Sequence, residues 1–223
     1  MPTFEMVNGK VVKAGVAPGR EVLAQRGAML AYQGSVTFSP VRSGPGSGGY
    51  GGSLGGMLGR RMAGEQVPMM VAMGSGSVHY GFGGLYVTVV DLDGSGPLSA
   101  EADRLLAHDA NLQSTVVFLG QQGGIKGAIR GAVTGQGLFT TQLHGVGSAA
   151  LLSHGGTIDI PVSPGRPVGV DPQAYVGHLG NLEVTVAASV GWREAVGRGS
   201  GEAIQLKVQG SGTVFVQASE QKY

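Results

Sequence analysis

The sequence predicts an all-β protein, closed or sandwich-like, assembled from three diverged β-hairpin repeats. Three observations carry this reading. The same landmarks recur in the same order three times along 223 residues. Gly accounts for 43 of them, far above the roughly 7% of ordinary proteins, and glycine is costly in helices but useful in turns and bulges. Near the end of the chain, Ile204, Leu206 and Val208 alternate with Gln205, Lys207 and Gln209, the period-2 pattern of a half-buried strand.

The first landmark is an opening strand that ends in a small residue eight positions on: Arg20 to Ala28, Ala102 to Ala110 and Arg166 to Ala174. The first and third are introduced by Pro18-Gly19 and Pro164-Gly165, where Pro fixes φ and Gly tolerates positive φ, as a tight turn requires. The second landmark is Gly followed by Glu or Gln, at Gly64-Glu65, Gly135-Gln136 and Gly201-Glu202. The third is Gly-x-Gly, at Gly74/Gly76, Gly145/Gly147 and Gly210/Gly212, with a β-rich run on either side. A strand, a Gly-x-Gly turn and a second strand predict a hairpin closing each copy. The repeats then span about 15–80, 98–155 and 160–219 of a single domain covering 1–223.

The connections within the copies differ. In the first, residues 43–56 have flexible-linker composition, and Leu54, Leu58 and Met62 follow at helical spacing beside Arg60 and Arg61. In the second, Ile125, Ile129 and Val133 share that spacing beside Lys126 and Arg130. Leu58, Arg60, Arg61, Ile125, Lys126, Ile129 and Arg130 are therefore the candidate partner or membrane surface. Apolar stripes with a basic edge cap a core or a subunit interface, or lie on an anionic membrane. The glycines within them count against a stable helix.

Catalytic and metal motifs fail one by one. Gly51-Gly-Ser53-Leu-Gly55 matches a nucleophile elbow but lies in a Gly-rich tract without the strand and helix that an elbow needs. Gly44-Pro-Gly46-Ser-Gly-Gly49 has no βαβ context for a dinucleotide. Asp91-Leu-Asp93-Gly-Ser95-Gly96 opens like a calcium loop, but position 12 is Ala102 and Glu101 comes one residue early, so a polar turn is the better reading. His79, His108, His144, His154 and His178 are scattered, with no closely spaced pair. No catalytic residue, cofactor or metal is expected, and the protein reads as a non-enzyme. A net charge of +1 counts against nucleic acid as a partner, and only 13% of residues are charged, which favours self-association. Cys is absent, the first residues lack a signal-peptide pattern and no apolar run approaches the roughly 18 residues of a spanning helix. The expectation is a cytoplasmic protein, with peripheral attachment to the inner face of the membrane as the alternative.

Several stretches together resemble the "altered inheritance of mitochondria" family, number twenty-four of that series. They are Arg26-Gly27-Ala28-Met29, the run from Leu54 to Glu65, the run from Gly137 to Ser153 and the run from Gly210 to Gln217. The resemblance covers essentially the whole chain. It implies a double-stranded β-helix related in fold to the tryptophan RNA-binding attenuation protein. It also implies self-assembly, with a homotrimer favoured, and no catalytic motif. The Gly- and Ala-rich composition suggests a bacterial member. The functional expectation is an oligomeric scaffold or binding protein with a protein partner still to be identified. Membrane docking, and nucleic-acid binding by analogy of fold, are the alternatives.

Overall fold

The computed structural model describes residues 3–41, 68–118, 139–188 and 204–219. These form β1 (Phe4–Asn8), β2 (Val11–Val16), β3 (Val22–Gln25), β4 (Met29–Pro40), β5 (Met69–Tyr80), β6 (Tyr86–Asp93), β7 (Leu98–Glu101), β8 (Leu105–Asp109), β9 (Gln113–Phe118), β10 (Phe139–His144), β11 (Val146–Ser153), β12 (Thr157–Val162), β13 (Val168–Val170), β14 (Tyr175–Ala188) and β15 (Ile204–Gln217). A 3₁₀ turn, Ala102–Arg104, separates β7 from β8. The protein is all-β, and every strand pairing among the described residues is antiparallel. Alternation decides which face is buried: Val12, Ala14 and Val16 of β2 are buried, as are Leu206 and Val208 of β15, while Gln205 and Lys207 are exposed.

Two sheets result. The first holds β1 to β6, β8 and β11; the second holds β7, β9, β10 and β12 to β15. One pairing pattern recurs. β5 is lined along one edge by β4, and along the other by β2 and β3 placed end to end. β15 is lined by β14 on one edge and by β12 and β13 end to end on the other. In the middle of the chain the long strand is broken at Gly145 into β10 and β11. They are lined by β9 and β8 on one edge and by β7 and β6 on the other. The two halves of the middle unit thus belong to different sheets, and this unit ties the sheets together. β3, β7 and β13 hold equivalent places, as do β4, the β8–β9 pair and β14.

Two expectations are corrected. The Gly-x-Gly landmarks are not hairpin turns. Gly74 and Gly76 lie inside β5, and Gly210 and Gly212 inside β15; Gly145 is a break between strands and Gly147 lies in β11. The physical reason is a close backbone crossing. At φ +116° and +123°, Gly74 and Gly210 face the carbonyls of Ser35 and Asn181 on the neighbouring strand, and a Cβ there would run into those oxygens. The second correction concerns the opening of the middle copy. Its counterpart of Val22–Gln25 is Leu98–Glu101, not the stretch that ends at Ala110, because β7 lines β10 as β3 lines β5. The turn ahead of it is Asp93-Gly-Ser-Gly96. It takes the place of the Pro-Gly turns and is closed by Ser95 N–H donating to Asp93 Oδ1 at 2.8 Å. That contact, with Ser95's side chain first, lowers the Asp93 carboxyl below its ordinary pKa. Asp91 and Asp93 of the calcium-like sequence thus belong to β6, and Gly94 to Gly96 make the turn that leads to β7.

Three apolar clusters fill the interior. One is centred on Val12, Val22, Val78, Tyr80 and Leu106; a second on Leu98, Leu143, Leu151 and Val176; a third on Tyr175, Val184, Leu206 and Val214. A fully buried Val or Leu contributes about 1.5–3 kcal/mol relative to its exposed state. The first two clusters each draw on two sequence units, whereas the third lies within the last unit.

Candidate functional site

Leu58, Arg60, Arg61, Ile125, Lys126, Ile129 and Arg130 lie outside the described residues, as does the Gly-rich stretch 43–56. The strands that flank their connections are described. Pro40 pairs with Met70, Phe118 with Phe139 and Ala188 with Ile204, so each connection leaves and rejoins the body through one two-stranded ribbon. Gly74, Gly76, Gly210 and Gly212 lie within those ribbons, where the neighbouring backbone approaches closely.

Within each sheet, neighbouring units are joined at one of two equivalent junctions. In the first, Val22, Leu23 and Ala24 of β3 pair with Asp109, His108 and Ala107 of β8. In the second, Leu98, Ser99 and Ala100 of β7 pair with Leu179, His178 and Gly177 of β14. A histidine thus stands at the same position in both, opposite Leu23 and opposite Ser99, and both are buried. His178 Nδ1 lies 2.6 Å from the Tyr175 hydroxyl oxygen. Burial pushes the His178 imidazole down to about 4, so it is neutral near pH 7. The Tyr175 hydroxyl is pushed up, by burial first and by the Glu101 carboxylate second. Beside them Arg104 Nε lies 3.6 Å from Glu101 Oε2, both side chains being almost fully enclosed. The cost of taking both charges out of water offsets much of the attraction in such a place. Among the described residues, no group of three or more His, Asp or Glu side chains is placed to hold a metal ion. The same residues contain no helix long and apolar enough to cross a membrane.

The feature that stands apart is the first half of β4. Every residue from Met29 to Ser35 is exposed. Met29 is 42%, Leu30 56% and Tyr32 51% accessible, and Phe82 nearby is 41% accessible. Their counterparts are enclosed: all of Leu105–Asp109 is buried in β8, and so are Tyr175, Val176 and His178 in β14. A difference in pairing accompanies it. β8 and β14 each have a short strand of the preceding unit along their outer edge, whereas β4 pairs only with β5 among the described residues. The patch is ordered from within, because the Tyr32 and Phe38 rings meet edge to face at 5.4 Å between centroids and Leu30 covers Gly81. Sequence reasoning missed it, since Met29, Leu30 and Tyr32 look like any buried stretch of a strand.

Comparison with known proteins agrees with the all-β architecture. The family model described as mitochondrial biogenesis AIM24 matches residues 4–219. The chain belongs to the AIM24 family. The resemblance drawn from Arg26–Met29, Leu54–Glu65 and the later stretches therefore holds. Among solved structures, the chain is similar to a crystal structure of the protein SPYM3_0169 from Streptococcus pyogenes, with a TM-score of 0.67 and 22% identity over 97% of this chain and 92% of that one. At that identity the likeness speaks for the fold alone. No curated protein matches this AIM24 chain.

Proposed function

We propose that this AIM24 protein is a non-enzymatic scaffold or binding protein that acts as a homo-oligomer. The observation that carries the reading is the bare ribbon Met29–Ser35. It presents three large apolar side chains on a strand edge, with Phe82 beside them and no charge or proline among its seven residues. Soluble proteins guard such edges. Here β1 carries Glu5, held by Lys13 at 3.3 Å, and β12 carries Asp159 and Pro161. An edge left unguarded and apolar while others are guarded is what an interface requires. The low share of charged residues acts in the same direction.

Sedimentation of the full chain over a range of concentrations tests the reading. The expected result is a larger species, a trimer being favoured, that dissociates on dilution. A monomer at every soluble concentration would discard it.

A further inference from the structure

We infer that β13 of one copy adds to the bare edge of β4 in a second copy, joining them head to tail. Val170 would face Ala31, Gly169 would face Tyr32 and Val168 would face Gln33. The inference rests on the oligomeric reading above and names the surface and the occupant.

The register follows from the two junctions already inside the chain. In each, three residues of a short strand pair antiparallel with the first half of the next unit's long strand: Val22–Ala24 with Ala107–Asp109, and Leu98–Ala100 with Gly177–Leu179. β13 is the third short strand, and β4 is the long strand of the first unit. Carrying the common register forward by one unit places Val168–Val170 on Ala31–Gln33. Among the described residues β13 pairs only with β15, so its other edge is open, and Gly169 is exposed. Among the described residues the chain therefore offers one half of the junction on β4 and the other on β13 and completes neither.

Burial supports the match. The positions that the junction covers in β8 and β14 are enclosed, apart from Leu179, which is half-buried, and the same positions in β4 are exposed. The two surfaces also fit sterically. Gly169 has no side chain, so the bulky Tyr32 opposite it has room, whereas the internal junctions place Leu23 and Ser99 opposite the smaller His108 and His178. The window is short because Pro167 and Pro172, which cannot donate to a ladder, bound β13 on both sides. A three-residue contact is the length both internal junctions use. The interface is heterologous, one patch meeting a different patch, and it closes into a ring or extends according to the rotation it imposes.

The absence of cysteine from the sequence makes the register directly testable. Full-length chains carrying Tyr32→Cys or Gly169→Cys are mixed and oxidised, with Tyr32→Cys plus Ile158→Cys as the control pair. In parallel, a Leu30→Lys/Tyr32→Lys chain is sedimented beside the wild type, with thermal melting to confirm that it folds. The expected results are a disulfide-linked mixed dimer from the first pair but not from the control, and at least a tenfold weaker association of the lysine variant, which still melts in a cooperative transition. If the wild type associates, the variant associates equally and no specific link forms, the copies meet elsewhere; this inference falls and the oligomeric reading survives. If a chain carrying both cysteines links within a monomer, the third junction closes on itself and the inference falls. If the wild type is a monomer throughout, both fall.

Discussion

At the scale of single residues, His178 sets a pH dependence. Burial holds its imidazole at about 4 in the fold, against an ordinary 6.5. Between these values the unfolded chain binds a proton that the folded chain does not. Stability is therefore full above about pH 6.5 and declines as the pH falls toward 4. The shift corresponds to roughly 3 kcal/mol. His154 acts in the same direction, lowered by burial and then by Arg104, but more weakly because it is largely solvated. Thermal melts at about pH 7 and pH 4.5 should show the decline, and His178→Gln should flatten it while lowering stability at pH 7. An undiminished decline in the variant would assign it to other groups. The glycines give a second prediction. Gly74→Ala or Gly210→Ala forces a Cβ into a backbone carbonyl at positive φ and should cost about 3 kcal/mol. Gly147 has no positive φ, and a Cβ there meets Asp109 Oδ2 at 3.0 Å and Leu112 at 3.2 Å, so Gly147→Ala should cost roughly 1 kcal/mol. Chemical denaturation of the three variants checks the order.

At the scale of elements, the bare half of β4 should behave as two different strands depending on concentration. In a dilute monomer its outer amides face water. Once a partner strand is added, those from Ala31 to Gln33 should exchange more slowly, while the amides of β5 should change little because they are already paired. Hydrogen exchange at high and low concentration checks this, and uniform protection across both strands would count against edge addition. The elements also show what was legible beforehand. The alternation around Leu206 and Val208 and the Pro-Gly turns ahead of β3 and β13 are local signals, and the structure keeps them. The role of Gly74, Gly76, Gly210 and Gly212 was not legible, because the same freedom of φ serves a turn and a bend, and only the strand lying across decides between them. The opening of the middle unit was misplaced because its turn, Asp93 to Gly96, lacks proline, while Ala110 mimics the small residues Ala28 and Ala174. The exposure of Met29, Leu30 and Tyr32 is not legible in the sequence, because residues of the same kind are enclosed at the equivalent places, as Leu105, Leu106 and Val176 are.

At the scale of the whole molecule, the sharing of strands between units makes stability indivisible. β6, β8 and β11 complete the first sheet, and β7, β9 and β10 from the same stretch of chain complete the second. Removing the third unit would strip β14 from β7 and uncover Leu98, Ser99 and Ala100, which are 1% accessible or less. The chain should therefore melt in one cooperative transition, with calorimetric and van't Hoff enthalpies in agreement, and a version ending before β12 should not fold. Two resolved transitions would show the units to be independent.

The recurrence of one junction poses a problem during folding. While the chain is still searching, β3 meets two strands that offer the same ladder, β8 and β14. Pairing with the wrong one would skip the middle unit and leave it looped out, a trap of the kind to which tandem units are prone. The side chains discriminate. The first junction sets Leu23 against His108 with Gln25 nearby, and the second sets Ser99 against His178 with Glu101 and Tyr175 nearby. Placing Leu23 where Ser99 belongs would crowd the Tyr175–His178 pair, and placing Ser99 where Leu23 belongs would leave a gap in the interior. The divergence of the three copies thus acts as an address on each strand, and making them more alike should yield a protein that folds more slowly and to more than one product.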